Sequence, residues 1–127
     1  MIKYDEYCNV DDRIWCTIMY EKIFDGLIQK YGEDFNWHIL PIENSFDKEL
    51  KKEIQKDHFL FGKDIYAIAK CDANDDVLYV MQMEGVDMFC IVHLTYTKQN
   101  EKGFPKYQMF ENIEEFISYL EESIVSQ

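Results

Sequence analysis

Residues 64–96, DIYAIAKCDANDDVLYVMQMEGVDMFCIVHLTY, decide the fold class. Three runs in it are rich in β-branched and aromatic residues: Asp64–Cys71, Val77–Met83 and Met88–Tyr96. Such residues suit a pleated, half-buried surface. Between the runs stand Asp72-Ala-Asn-Asp-Asp76 and Glu84-Gly-Val-Asp87, whose Asp, Asn and Gly favour turns. Strands joined by turns this short predict an antiparallel meander. Past a polar loop at Lys98–Pro105, Lys106–Phe110 reads as a fourth short strand. Upstream, Asn36–Leu40 reads as another, with Pro41 stopping it or marking an edge.

Helices flank this block. Ile14, Ile18, Met19, Ile23, Leu27 and Ile28 follow helical spacing, widened by Trp15 and Phe24, and predict a helix over about Asp12–Tyr31. Asp11 or Asp12 can cap its start, and Gly32 can end it. Asn44 or Ser45 caps a second helix, about Phe46–Lys56, whose narrow line of Phe46, Leu50 and Ile54 holds it to the surface by one face. Asn112-Ile-Glu-Glu115 has the capping-box pattern. The third helix follows to about Val125, with Ile113, Phe116, Ile117, Leu120 and Ile124 as its stripe. The expected architecture is one α+β domain over Met1–Gln127, with three helices and a mainly antiparallel sheet of four to five strands. The order is α-β-α-β-β-β-β-α.

Charge narrows the partners. There are 25 acidic residues against 13 basic ones, a net charge of −12. The stretches Cys71–Thr97 and Tyr107–Gln127 each carry five acids and no Lys or Arg. That balance argues against nucleic-acid phosphates and anionic membranes and leaves room for a basic protein partner. Arg13 is the single Arg, so an arginine cluster for phosphate or carboxylate cannot be built. No apolar run is long enough for a membrane helix and no leader pattern opens the chain, so a cytoplasmic location is expected. Cys8, Cys16, Cys71 and Cys90 form no C-x-x-C pair and read as reduced thiols.

Few residues suggest chemistry. Along Met88–Tyr96, alternation puts Met88, Cys90, Val92, Leu94 and Tyr96 on one face and Phe89, Ile91, His93 and Thr95 on the other. His93 lies where the cover of a central strand opens. It could serve as acid, base or ligand, with Thr95 supplying a hydroxyl and Glu84 or Gln82 a polar partner. Cys90 has the wrong parity to pair with it. No metal is expected. His38, His58 and His93 have no ligand spacing. Asp72, Asn74 and Asp76 begin a calcium-loop pattern, which fails at Val77 and Met83. The five glycines are isolated, so no phosphate loop and no nucleotide cofactor is expected. Tyr66, Tyr79, Phe89 and Tyr96 could form a stacking platform but have no cations beside them, so packing is the expectation. Asp72, Asp75, Asp76, Glu114, Glu121 and Glu122 are the candidate docking acids. Glu114 suits the helix dipole, whereas Glu121 and Glu122 oppose it near the far end.

Asp75-Asp-Val-Leu-Tyr79, Ile91-Val-His-Leu-Thr-Tyr96, Gly103-Phe-Pro105 and Phe116-x-x-x-Leu120 together resemble small bacterial single-domain proteins of uncharacterised activity. By size and acidity the chain is also similar to immunity proteins that neutralise basic toxins. Neither likeness carries over a site residue. The expected function is a non-catalytic binding or inhibitor protein that uses an acidic surface. A small enzyme or ligand-binding domain with a cleft beside His93 is the alternative. A homo-oligomer is the third reading.

Overall fold

The computed structural model describes residues 12–97 and 102–125, the first six of these by their backbone alone. Cys8, Asp11, the side chains of Ile14, Trp15 and Cys16, and residues 98–101 of the expected loop lie outside the described residues. The chain divides after Phe35 into two compact units.

The first unit contains α1, Asp12–Tyr31, and a 3-10 turn at Gly32–Asp34. Gly32 takes φ +59°, the left-handed conformation in which a helix commonly ends. Phe24 and Phe35 meet edge to face, with ring centroids 5.4 Å apart. The expected apolar stripe needs correction. Tyr20, Phe24 and Leu27 are buried, while Ile18, Met19 and Ile28 are 45%, 44% and 46% exposed. Apolar residues occur on all sides of this helix, so spacing does not choose a face. The buried one carries the two rings, which remove more surface from water per residue.

The second unit holds the sheet. Its strands are β1 (Trp37–Ile39), β2 (Asp64–Cys71), β3 (Asp76–Met83), β4 (Val86–His93) and β5 (Tyr107–Phe110). They pair antiparallel in the order β1-β2-β3-β4-β5. The fold is therefore α+β with a five-stranded antiparallel meander, and its element order is the one the sequence predicts. One turn is tighter than expected. Met83 pairs with Val86, leaving only Glu84 and Gly85 between β3 and β4, at φ +53° and +79°. Two left-handed residues give the turn whose twist matches a β-hairpin. Val86 and Asp87 thus join the strand.

Two helices cover opposite faces of the sheet. α2 (Ser45–Glu53) is capped by Asn44, whose side chain accepts from the Phe46 N–H at 3.0 Å. It ends at Glu53, three residues earlier than expected, and Ile54 after it is extended. Leu50 packs with Ala67, Val77, Tyr79, Met81, Cys90 and Val92, and Phe46 and Ile54 border that cluster. α3 (Ile113–Val125) starts at Asn112, which accepts from the Glu115 N–H at 2.9 Å. Glu115 reaches back to the Glu111 N–H at 2.8 Å, one residue before the usual partner. Phe116 meets Trp37 and Phe110 edge to face. By alternation Leu78, Val80, Phe89 and Ile91, all buried, point to this second face. Tyr79 and Phe89 are buried on opposite faces, so the stacking platform does not form.

Candidate functional site

Polar side chains gather at one end of the sheet, where β2 leaves, β3 begins and β4 ends. The connection from Asp72 to Asp75 is folded by its own side chains. Asn74 accepts from the Asp76 N–H at 2.9 Å. The Lys70 ammonium donates to the Cys71 carbonyl at 2.6 Å and to the Asn74 carbonyl. The Leu94 N–H donates to the Asp75 carbonyl at 3.3 Å, tying the segment after β4 to the turn.

Two histidines flank this turn, each held through Nδ1 by one of its acids. His38, on β1, meets Asp72 at 2.5 Å. His93 meets Asp76, its direct cross-strand partner. Both rings are about half exposed, at 53% and 51%. Asp76 is itself buried, so it positions His93 rather than facing solvent. Among the described residues no group hydrogen-bonds the Nε2 of His93.

The polar partner expected for His93 is corrected. Glu84 sits at the opposite end of the β3–β4 hairpin, beside the Met83–Val86 pair. Seven residue steps, about 24 Å along a strand, separate that pair from His93, and Gln82 lies toward the same far end. The two-residue spacing of His93 and Thr95 is also not a shared face here. β4 stops at His93, and the chain then bends to α2.

That bend is held by a residue the sequence reading passed over. Glu53, the last of α2, is 1% exposed. Its Oε1 accepts from the Thr95 N–H at 2.7 Å and the Thr95 hydroxyl at 3.0 Å, and its Oε2 from the Tyr96 N–H at 2.9 Å. Tyr96 takes φ +57°, a conformation uncommon for a non-glycine residue. Burial pushes the Glu53 carboxyl up. The hydrogen bonds from Glu49, from the Thr95 and Tyr96 amides and from the Thr95 hydroxyl outweigh it and hold the group below the usual carboxylate value. Glu49, one turn earlier, moves the other way, because its hydrogen bond to Glu53 favours a proton and burial adds to that. The opposite shifts mean that, as pH falls, a proton is taken up by Glu49 before Glu53. Glu53 lies three residues past Leu50, on the buried side of the helix, and that spacing was the signal available in the sequence.

Glu49→Gln keeps a donor toward Glu53 without needing a proton, so it should raise stability at neutral pH by about 0.5–1.5 kcal/mol. Urea unfolding at pH 7 reads this, and an unchanged midpoint would count against the carboxyl pair.

The other expected acids are placed separately. Glu114 stands in the first turn of α3 and Glu122 near its end; both are exposed, and Glu121 is partly covered. Cys90 is buried and its thiol is pushed up to about 12 by burial, which leaves it protonated and inert. Among the described residues no three His, Cys, Asp or Glu side chains converge as a metal-binding group, and no helix is long and apolar enough to cross a membrane.

Comparison of the chain with protein-family models, with curated proteins and with solved structures finds no match.

Proposed function

We propose that the chain is a non-catalytic binding protein that docks a basic protein through the acidic end of its sheet, in the manner of a bacterial, cytoplasmic immunity protein. The observation that carries this reading is the turn between β2 and β3, which offers Asp72 and Asp75 to solvent on a braced backbone. A braced loop loses little conformational freedom on binding. A net charge of −12 would steer a basic partner in at a salt-sensitive rate. Asp76 is buried and holds His93, while Glu114, Glu121 and Glu122 of α3 lie apart from the turn and add to the acidic charge of the chain.

The test is a tagged pull-down from the host lysate, washed at low and high salt. The expected result is a basic protein retained at low salt and released at high salt. An Asp72→Asn, Asp75→Asn, Glu121→Gln, Glu122→Gln variant should then associate about tenfold or more slowly. Unchanged association would sink the acidic-docking reading.

A second reading has one observation in its favour. His93, oriented by Asp76 with its Nε2 turned away from that contact, is half of an acid–base pair. A ligand-binding or enzymatic site there would lose function in His93→Gln while keeping the unfolding midpoint. Thr95 would act in it only if released from Glu53.

A further inference from the structure

The acidic sheet end leaves a different region of the second unit unexplained. Between α2, the loop 54–63 and β2 lies a groove of about 370 Å³. Its walls are Leu50, Ile54, Leu60, Phe61 and Ile65, and its charged residues are Lys51, Lys63 and Asp47. The Oδ1 of Asp47 is engaged by the Ala67 N–H at 2.6 Å. Lys51 is exposed, and Lys63 is held with its ammonium 4.8 Å from the Phe59 ring centroid. The lining thus carries two lysines against one acid, and that acid already accepts a backbone hydrogen bond.

The loop wall is built before any ligand arrives. Successive turns close it, from His58 N–H to the Gln55 carbonyl at 2.9 Å, Phe61 N–H to the His58 carbonyl at 3.0 Å, and Lys63 N–H to the Leu60 carbonyl at 3.2 Å. His58 anchors it at both ring nitrogens. Nδ1 accepts from the Leu60 N–H at 3.1 Å, and Nε2 donates to the Pro105 carbonyl at 2.9 Å. Gly62 supplies the left-handed residue, φ +74°, that turns the chain at the rim. Phe61 remains 48% exposed, which costs surface free energy unless something covers it.

We propose that this groove binds a small amphipathic carboxylate, its apolar tail against Leu50, Ile54, Leu60, Phe61 and Ile65 and its carboxylate between Lys51 and Lys63. Preformed apolar clefts with a few placed charges are the usual form of small-ligand sites. The volume lies at the low end of such sites, so the ligand is a single short acyl chain or one aryl ring. The two ammonium groups choose an anion over a cation.

Sodium octanoate titrated into the full chain, followed by methyl NMR, tests this. The expected result is saturable shifts at the Ile54, Leu60 and Ile65 methyls, with octylamine giving none. The Lys51→Glu, Lys63→Glu variant, checked for fold by circular dichroism, should bind octanoate at least about tenfold more weakly. No saturable shift, equal binding of octylamine, or undiminished binding by the double variant would each overturn the proposal. So would methyl shifts that follow protein concentration without octanoate, since a second copy would then fill the groove.

Discussion

Phe116→Ala is expected to lower the unfolding free energy by about 3–5 kcal/mol, the usual range for truncating a fully buried ring. Phe116 is 0% exposed. It meets Trp37 with ring centroids 5.5 Å apart at 87°, and Phe110 with centroids 5.7 Å apart at 73°. These contacts join α3 to both edge strands, β1 through Trp37 and β5 through Phe110. Each edge-to-face pair adds about 0.5–1.5 kcal/mol beyond area burial. Since a domain of this size holds only about 5–15 kcal/mol in total, the variant should be marginally folded. Urea unfolding at 25 °C measures the loss. Phe116→Leu fills most of the space and should cost distinctly less. A loss under about 1 kcal/mol for Phe116→Ala would mean that α3 is not the cover of this face.

The second large effect is at Glu53, where Glu53→Ala should cost about 3 kcal/mol. Removing a buried carboxylate strands the groups that donated to it, at about 1–3 kcal/mol for each one that water cannot reach. Besides Glu49, the donors are the Thr95 and Tyr96 amides and the Thr95 hydroxyl. Tyr96 is exposed, so water recovers part of the loss there. Glu53→Gln should cost less, because one oxygen remains, but its amide nitrogen then faces donors. Hydrogen exchange gives the more specific readout. The Thr95 and Tyr96 amides should lose protection in both variants while β3 keeps its own.

The same carboxyl pair sets a pH dependence. Glu53 is held below its ordinary value of 4.5, so its contribution is present above that value and is lost as pH falls through the lowered one. Glu49 is raised from 4.5, so its contribution is complete below that value and is lost as pH rises through the raised one. Stability from the pair is therefore greatest between the two, near 4.5. Glu53→Gln should flatten both limbs in urea unfolding followed from pH 3 to pH 7. A variant with the wild-type pH profile would show that the pair does not share a proton.

How much of this was legible can be judged residue by residue. The meander was legible because alternation and turn chemistry are local. Asn74 folds its own turn, and Glu84-Gly85 accepts the left-handed geometry its hairpin needs. The Asn112 and Asn44 caps were legible for the same reason. The parity of β4 was readable as far as His93 and failed beyond it, because Thr95 follows Glu53 rather than the pleat. Glu84 as the partner of His93 failed because residues near in sequence sit at opposite ends of a hairpin, whereas the true partner, Asp76, is 17 residues away. The buried face of α1 failed because apolar residues surround that helix.

Sequence alone thus determined the elements, their antiparallel pairing and the acidic character of the surface, since propensity, alternation and charge act over a few residues. Only the tertiary structure decided which polar groups meet. His38 finds Asp72 across 34 residues and Glu53 finds Thr95 across 42. Such contacts depend on where strands end and helices cross. Those positions are set by packing the two faces of one sheet, and no spacing along the chain encodes that.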